Sequence, residues 1–434
     1  MRAAHVVAAG LPAGTGGGAR SKPVMAPFPV LTSLGAAVVT PRGAARIRAG
    51  HPWVFRQDVT RGPDGDAATG GPSLVVVQDG RGKPLGVATW AARAKLALRM
   101  VETAPAAAGT LADGDLLSLV ARRLDAALAR RRELRLDRDA FRVCHAESDG
   151  LPGLFVDRYA DAAVIQTTSV AMNAARADLA ALIADKLSAR VVIARDDGSM
   201  RDFEGLPRFA GVVAGAGDTR VVYRMGENRL EADLLSDGKT GGFLDQADNH
   251  AAVAALASPG ARALDAFTYH GGFALALARR GGPVLATDED PAAVARAQAN
   301  ARRNGLTNLE ARAANAFDLL RALESQGARF DVVVIDPPAL AKRGAGDSLS
   351  AADRGYKELI LRGARLTQPG GLLVACSCSG RVTRAHWDDL CAQAVADSGR
   401  RAQVIARRGA SADHPELVGV PETGHLKTWL LRVL

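Results

Sequence analysis

The second half of the chain is constrained most by a regular alternation of strand-like and helix-like segments that begins near Asp265. Apolar segments such as PVLATD, FDVVVID and GGLLVACS alternate with helical segments such as PAAVARAQANARRNG. Strands that alternate with helices predict a parallel sheet covered by helices. The last two apolar segments, RAQVIARR and LKTWLLRVL, predict two strands lying side by side. We therefore expect an α/β domain with a seven-stranded sheet over residues 226–434.

Two smaller domains are predicted before this sheet. Residues 36–104 contain short β segments, and SLVVVQ and LGVATW flank the hairpin signal Asp79-Gly80. Residues 105–225 predict a small α+β domain. In that domain GDLLSLVARRLDAALARRREL and MNAARADLAALIADKL are expected to be helices, the arginines of the first forming a solvated face. FRVCHAESDGLPGLFVDRYADAAVIQTT is expected to form two strands around a turn. Residues 1–35, rich in Ala, Gly and Pro, predict a disordered leader, and the translation start is open between Met1 and Met25.

Composition narrows the function classes. Arg, Asp or Gly interrupts every apolar run before it reaches the ~18 residues of a membrane span, so we expect no membrane partner. Four cysteines in 434 residues are too few for a disulfide framework, which favours the cytoplasm. A net charge of +9 is compatible with a polyanionic partner such as RNA.

The N-terminal segment RIRAGHPWVF mixes cations with aromatic rings. Arg46, Arg48 and Arg56 surround Trp53 and Phe55 in the sequence. Such a mixture can bind phosphates and stack on bases, whereas aromatic residues of small β domains are more often core. The core reading is favoured for Trp53, and the RNA-binding reading stays open.

Residues that follow strands are candidates for a ligand site, because ligands bind outside the carboxyl ends of the strands in open α/β sheets. DAFTYHGGF follows the first strand, and Gly271-Gly272 would let the backbone approach a ligand closely. It lacks the G-x-G-x-x-G spacing of NAD sites. Asp288 after the second strand can accept hydrogen bonds from both ribose hydroxyls, while Asp290 is the better helix N-cap. Asn315 after the third strand is positioned for an adenine edge.

The fourth and fifth strands carry the residues suited to catalysis. Asp336 is followed by Pro337 and a second proline, which stiffen the chain beside a carboxylate. The fifth strand leads to Cys378, which we expect beside Asp336. A zinc site built on Cys376 and Cys378 would need a second ligand pair, and the sequence has none nearby, so we expect no metal.

Several long motifs in one order resemble the PUA-domain cytosine-5 methyltransferases of large-subunit (23S) ribosomal RNA. They are HPWVF, AESDGLPGLFVDRY, GKTGGFLDQADN, FTYHGGFAL, IDPPAL, RGYKEL, CSCSG and ADHPE. The resemblance covers nearly everything after residue 35. It implies a PUA-like RNA-binding domain and a class I, Rossmann-like methyltransferase domain that uses S-adenosylmethionine. A seven-stranded sheet that finishes in a hairpin agrees with that class better than with a dinucleotide-binding sheet.

The resemblance also implies roles for individual residues. Cys378 would be the nucleophile and Asp336 its catalytic partner. The cofactor contacts would be Tyr269, His270, Gly271, Gly272, Asp288, Asn315, Asp336 and Pro337. One departure concerns Asn315, because the family usually has Asp at this position. The implied partner is 23S ribosomal RNA. The target nucleotide, the proton-abstracting base and the oligomeric state, a homodimer included, are left open.

A cysteine suits this chemistry because carbon 5 of cytosine is a poor nucleophile. A thiolate that adds to carbon 6 makes carbon 5 an enamine carbon able to take a methyl group. Two alternatives remain open: methylation of guanine N7 in ribosomal RNA, which needs no nucleophile, and a non-catalytic RNA-binding factor of ribosome assembly. Methylation of an exocyclic amine is less favoured, because Ala339 stands where an aromatic residue usually follows the two prolines.

Overall fold

The computed structural model describes residues 35–63, 73–103, 116–340 and 349–434. The leader predicted for residues 1–35 lies outside these ranges except for Gly35. In the described residues no helix combines the length and the apolar character needed to cross a membrane. Three domains follow one another: a β-rich N-terminal domain, a mixed middle domain and a C-terminal α/β domain, which we call the catalytic domain.

The N-terminal domain is built around one sheet. Its elements are β1 (Ala36–Val39), α1 (Pro41–Arg48), β2 (Trp53–Phe55), β3 (Val59–Arg61), β4 (Ser73–Gln78), β5 (Pro84–Trp90) and β6 (Leu96–Thr103). The strand order is β2-β6-β5-β4-β1-β3. The predicted hairpin joins β4 to β5. The Asp79 carboxylate holds its turn by accepting the N–H groups of Arg81 at 3.0 Å and Lys83 at 3.1 Å.

Trp53 lies at the boundary between the N-terminal and middle domains. Its ring is partly buried, and its indole N–H donates to the Glu147 carboxylate of the middle domain at 2.9 Å. Arg99 bridges the same boundary, donating to Glu147 at 3.2 Å and to Glu204 at 2.9 Å. Trp53 is therefore an interdomain contact, which neither the core reading nor the base-stacking reading anticipated.

The three N-terminal arginines also have internal partners. Arg46 contacts Nε2 of His51 at 2.8 Å and lies over the Phe55 ring. Arg48 donates to Asp79 at 2.8 Å, and the Arg56 guanidinium stacks over Trp90 at 4.4 Å from the ring centroid. These contacts stabilise the N-terminal domain itself.

The middle domain is a mixed five-stranded sheet in the order β11-β10-β9-β8-β7. Its elements are α2 (Leu116–Glu133), β7 (Ala140–His145), β8 (Leu154–Tyr159), β9 (Ala162–Thr167), α3 (Val170–Ala174), α4 (Arg176–Leu187), β10 (Val191–Asp196), α5 (Met200–Glu204) and β11 (Phe209–Gly215). The segment expected to form two strands forms three, because a tight reversal with Ala160 at φ 51° separates β8 from β9. The second predicted helix is broken at Ala175, the C-cap of α3.

A hairpin connects the middle domain to the catalytic domain. It consists of β12 (Arg220–Met225) and β13 (Asn228–Asp233). The Tyr223 ring meets Tyr159 of the middle domain edge to face, at 5.2 Å between centroids. The backbone N–H of Glu231 donates to Asn300 of the catalytic domain at 2.9 Å. The hairpin therefore packs against both domains.

The catalytic domain has the predicted alternation. Its elements are α6 (Ala247–Leu256), β14 (Ala263–Asp265), α7 (Gly272–Ala278), β15 (Val284–Asp288), α8 (Pro291–Arg303), β16 (Leu309–Ala313), α9 (Ala316–Ser325), β17 (Phe330–Ile335), α10 (Leu349–Leu366), β18 (Thr367–Ser377), α11 (Arg384–Asp397), β19 (Ala402–Arg408) and β20 (Lys427–Val433). The strand order is β16-β15-β14-β17-β18-β20-β19. The seven-stranded sheet is thus confirmed, with β20 antiparallel between β18 and β19.

Helices cover both faces of this sheet. One apolar cluster includes Leu320, Tyr356 and Trp387 from α9, α10 and α11. The other includes Val253 and Phe273 from α6 and α7. Because β14 to β18 run parallel, their carboxyl ends meet at one edge of the sheet. The predicted site residues follow these ends.

An ion pair inside the middle domain, between Arg131 and Asp149, lies beside one that joins this domain to the catalytic domain, between Arg138 and Asp413. We call Arg131, Arg138, Asp149 and Asp413 the ionic interface. Arg131 donates to both oxygens of Asp149, at 2.6 and 2.7 Å, and to the backbone oxygen of Asp413 at 2.8 Å. Arg138 donates to the Asp413 carboxylate at 2.8 Å. The expectation that the arginines of α2 form a solvated face is wrong for Arg131, which is 4% exposed.

Candidate active site

A cavity of about 980 Å³ opens at the carboxyl edge of the catalytic sheet. Eight of the predicted site residues line it: Tyr269, His270, Gly272, Asp288, Asn315, Asp336, Pro337 and Cys378. Gly271 lies next to this wall as the N-cap of α7. The tertiary structure therefore brings together residues that are spread over more than a hundred positions of the chain.

The loop after β14 is folded tightly against the sheet. The Asp265 carboxylate accepts the Thr268 hydroxyl at 2.8 Å and the N–H of Ala274 at 3.1 Å. Gly271 has φ 92°, a left-handed conformation that favours glycine. A Cβ on Gly272 would lie 2.4 Å from Cε1 of His250, so only glycine fits there. The loop is thus shaped by close packing as well as by the need to admit a ligand.

Tyr269 and His270 form a stacked pair at the cavity wall. Their rings are 3.7 Å apart at 11°. Burial, with the nearby charge of Arg296, lowers the pKa of His270 to about 3, so its imidazole is neutral at physiological pH. The two neutral rings therefore present a flat apolar face with polar edges at the cavity wall.

Asp288 ends β15 and is held by two backbone groups. Its carboxylate accepts the N–H of Tyr269 at 2.9 Å and that of Asp290 at 3.1 Å. Each carboxylate oxygen can accept a further hydrogen bond. Asp290 is the N-cap of α8, as predicted, and accepts the N–H of Ala292 at 2.9 Å.

Asn315 has a local role that competes with the predicted ligand contact. It is the N-cap of α9, and its side-chain oxygen accepts the N–H of Phe317 at 3.0 Å. Its amide nitrogen faces the Glu289 carboxylate at 3.4 Å. The side chain therefore turns its donor toward the cavity side of β15, where Glu289 also lies on the wall.

Asp336 follows β17 directly and is partly buried. It accepts a hydrogen bond from Nε2 of Gln246 at 2.9 Å. Burial raises the pKa of Asp336 to about 7, and the neighbouring carboxylates Asp245 and Asp265 add to this shift. Near neutral pH a substantial fraction of Asp336 is thus protonated and can donate a proton.

Cys376 and Cys378 lie in different environments although they are two residues apart. Cys376 is inside β18 and fully buried, and its sulfur accepts the Thr428 hydroxyl at 3.4 Å. Cys378 follows the end of β18, lines the cavity and is the only partly exposed residue of the four cysteines. Burial raises the pKa of the Cys378 thiol, while the cations Lys239 and Lys427 act in the opposite direction.

Three charged residues of the site were not singled out from the sequence. Lys239 and Asp245 line the cavity, and Lys427 at the start of β20 donates to the backbone oxygen of Ser379 at 2.6 Å. The signal for the first two was the motif GKTGGFLDQADN, which combines glycines with charged residues ahead of the sheet. No group of three or more His, Cys, Asp or Glu side chains suited to a metal ion occurs in the described part of the chain.

Known proteins resemble this chain over most of its length. The ribosomal RNA large subunit methyltransferase I of Aeromonas hydrophila is 33% identical over 395 residues, which cover 88% of this chain and 95% of that protein. The protein of the same name from Tolumonas auensis is 33% identical over 394 residues, with coverages of 88% and 96%. The chain belongs to the ribosomal RNA large subunit methyltransferase I family.

The domain matches agree with this methyltransferase I membership. Residues 37–103 match the family described as "PUA-like domain", and residues 257–415 match the family described as "Methyltransferase domain". The crystal structure of SMU.776, a putative methyltransferase complexed with SAH, superposes with a TM-score of 0.75 and covers 92% of this chain and 99% of its own. At 16% identity that likeness concerns the fold alone. Membership in a methyltransferase family argues against the non-catalytic assembly factor.

Proposed function

We propose that this protein transfers a methyl group from S-adenosylmethionine to carbon 5 of a cytosine in 23S ribosomal RNA, with Cys378 as the covalent nucleophile. The observation that carries the proposal is the shared cavity wall of Cys378 and Asp336, a partly exposed thiol and a carboxyl group that is protonated in part near pH 7. A nucleophile and a proton donor in one cavity are what addition to a pyrimidine ring requires.

The cavity has features that fit S-adenosylmethionine. Its volume of about 980 Å³ leaves room for a cofactor and for a second ligand. Asp288 can accept the ribose hydroxyls with its remaining lone pairs, and Gly272 lets the backbone of the first loop lie close to the ligand. The further proposed contacts are Tyr269, His270, Gly271, Asn315, Asp336 and Pro337. When bound, the cofactor supplies an electrophilic methyl group.

The residues of the chain supply the activation of the base. The Cys378 thiolate forms a bond to carbon 6, and the electron pair of the C5–C6 double bond makes carbon 5 nucleophilic as N3 takes up a proton. Protonated Asp336 can donate that proton to N3, while its other oxygen accepts the exocyclic amine. After carbon 5 has been methylated, it loses its proton, the C5–C6 double bond forms again as the thiolate leaves, and N3 returns its proton to Asp336. Cys378 returns to its starting state.

The RNA partner is proposed from charge, chemistry and relatives. The net charge of +9 favours RNA binding, and the relatives are named as ribosomal RNA methyltransferases. The target base must be extruded or single-stranded to reach the cavity. The PUA-like domain is the proposed RNA-binding module and the cytoplasm the proposed location. Because Arg48 and Arg56 have internal partners, the RNA contacts of that domain are assigned to other residues.

Methylation of guanine N7 is the alternative reaction in the same cavity. It needs no sulfur, because N7 carries a lone pair that attacks the methyl group directly. The position of Cys378 on the wall favours the cytosine reaction.

The decisive experiment uses RNA with 5-fluorocytosine at the target site. The fluorine cannot leave as a proton does, so the wild-type protein should form a covalent adduct that withstands a denaturing gel. Cys378→Ala should form no adduct and lose turnover, yet still bind the cofactor. Cys376→Ala is the matched control, because that cysteine is fully buried, and it should form the adduct. Methylation by Cys378→Ala at the wild-type rate would instead favour the guanine reaction.

A further inference from the structure

The turn between β13 and α6 carries a lysine in an unusual backbone conformation. Lys239 has φ 53°, a left-handed conformation that is unfavourable for a residue other than glycine. The chain just after Lys239 is anchored to β8: Thr240 donates to Asp157 at 2.8 Å, and the N–H of Gly242 donates to the Tyr159 hydroxyl at 3.0 Å. A strained but firmly held turn therefore positions Lys239.

The side chain of Lys239 reaches the catalytic cavity. Its ammonium lies 3.2 Å from the Asp245 carboxylate and 4.3 Å from the Phe243 ring centroid. His425 contacts the same Asp245 oxygen at 2.8 Å. Lys239 and Cys378 line one cavity, and the positive charge of Lys239 acts to lower the pKa of the Cys378 thiol. Asp245 thus holds the ammonium at the wall that also carries Cys378.

We propose that Lys239 stabilises the thiolate form of Cys378 and thereby sets how much nucleophile is available before RNA binds. The proposal deepens the proposed function and rests on it, since the thiolate is needed for attack on carbon 6. In the activation step the S–H bond breaks, its electron pair stays on the sulfur and the proton passes to solvent. Lys239 keeps its own protons and acts through Cys378.

The groups around Cys378 explain why such help is needed. The thiol is largely buried, and Asp336, Asp245 and Tyr356 interact with it in the direction that opposes a negative sulfur. Among the described residues, Lys239 and Lys427 favour the thiolate. The balance leaves the pKa of Cys378 above that of an ordinary thiol, so removal of one cation has a direct effect on the thiolate population.

Lys239 is better suited to this role than Lys427. Burial lowers the pKa of Lys427 to about 8, and its ammonium is engaged by the backbone oxygens of Ser379 at 2.6 Å and His425 at 2.9 Å. Burial also opposes the charge of Lys239, but Asp245 and Cys378 outweigh it and the pKa of Lys239 is raised. Lys239 is therefore charged near neutral pH.

The test measures the reactivity of Cys378 without RNA or cofactor. Iodoacetamide reacts with thiolates, and the other three cysteines are buried, so peptide mass spectrometry can follow alkylation at Cys378 as a function of pH. Lys239→Met should slow alkylation at pH 7.5 on the order of tenfold and move the inflection to higher pH. Lys239→Arg should restore most of the rate. Lys357→Met is the matched control, because Lys357 pairs with Asp397 at 2.6 Å outside the cavity, and it should behave as wild type.

Turnover adds a second readout. In Lys239→Met, kcat should fall at pH 7.5 and recover toward pH 9, with little change in the KM for RNA, which a merely structural loss would not produce. Lys239→Gln keeps a donor for Asp245 and serves if the Met variant does not fold. An unchanged alkylation profile in a folded variant overturns the proposal. Failure of the cysteine mechanism would appear separately, as the absence of an adduct between wild type and 5-fluorocytosine RNA.

Discussion

Two groups of carboxylates, at the catalytic cavity and at the ionic interface, respond to burial in opposite ways. At the ionic interface, Asp149 and Asp413 are buried against Arg131 and Arg138, and the pKa of each is lowered despite burial. At the cavity, burial raises the pKa values of Asp265 and Asp336 to about 7, and neither forms an ion pair with an arginine in the described residues. The bidentate Arg131 guanidinium offsets desolvation at Asp149, and His414 with Arg138 does so at Asp413, whereas the amide and hydroxyl donors at Asp265 and Asp336 do not.

This difference separates carboxylates that stabilise the fold from carboxyl groups that can take part in catalysis. A paired carboxylate is held ionised and contributes to docking of the domains. A buried carboxylate without a cation in contact keeps a proton near neutral pH and can give it to a substrate. The two regions are joined by residues 245–250, since Asp248 accepts from Arg138 at 2.6 Å while Gln246 donates to Asp336 at 2.9 Å.

The largest expected effect is a loss of stability when the ionic interface is changed. Arg131→Met removes the bidentate partner of Asp149, whose side chain is fully buried, and leaves Arg130 paired with it at 2.6 Å. The free energy of unfolding should therefore fall by about 3 kcal/mol, the lower end of the range for a broken buried pair. Denaturant unfolding followed by circular dichroism measures it. The exposed pair of Arg208 and Asp202 gives the control, because Arg208→Met should leave stability close to wild type. A similar result for the two variants would show that the interface pair contributes no more than a surface pair.

On the cavity side the main effect should be on rate. Asp336→Asn cannot donate a proton to N3, and kcat should fall roughly 10²–10³-fold, the usual effect of removing one donor to developing charge. Asp318→Asn, at an exposed position of α9, serves as the control. If Asp336→Asn kept its kcat within a few-fold, Asp336 would not be the acid.

Asp288 lies in the cavity and already accepts two backbone N–H groups. It therefore tests whether a carboxylate with such partners still binds S-adenosylmethionine. Asp288→Ala should remove hydrogen bonds to the ribose worth roughly 1.5–3 kcal/mol each, and thus raise the Kd for S-adenosylmethionine about tenfold or more. Calorimetry measures this. Asp290→Ala removes the neighbouring helix cap and should leave the Kd nearly unchanged. Equal affinities for wild type and Asp288→Ala would remove Asp288 from the cofactor site.

The smallest effect is a pH dependence of stability with opposite signs in the two regions. The folded-state pKa of Asp336, about 7, exceeds its ordinary 3.8, so its contribution is complete below pH 3.8 and is lost as pH rises through 7. The pKa of Asp413, about 2, lies below the ordinary value, so its contribution is present above pH 3.8 and is lost as pH falls through 2.

Melting temperatures measured as a function of pH distinguish the contribution of Asp336 from that of Asp413. Asp336→Asn should flatten the decline on the alkaline side, by a few degrees, and Asp413→Asn should flatten the decline in acid. Identical profiles for the two variants would contradict the contrast between the regions.

The strands and the residues that follow them could be predicted, because they depend on the local sequence pattern. The pattern alone does not distinguish the environments of Cys376 and Cys378. Side chains two apart on a strand share a face, and only the end of β18 at Ser377 gives the second cysteine a different environment. At Asn315 the structure adds a role that the sequence analysis did not predict, because the side chain caps α9 and this competes with the predicted adenine contact.

The alternation after Asp265 was enough by itself to determine the sheet, its direction and the edge where Asp288, Asp336 and Cys378 meet. Parallel strands joined by helices leave no other common edge. Only the tertiary structure decided which charges surround that edge. Lys239 and Asp245 come from the segment between β13 and α6, which shows no periodic pattern. Trp53 donates a hydrogen bond to Glu147, which belongs to another domain. The pKa values that make the cavity reactive depend on burial and on charges distant in sequence, which no local pattern encodes.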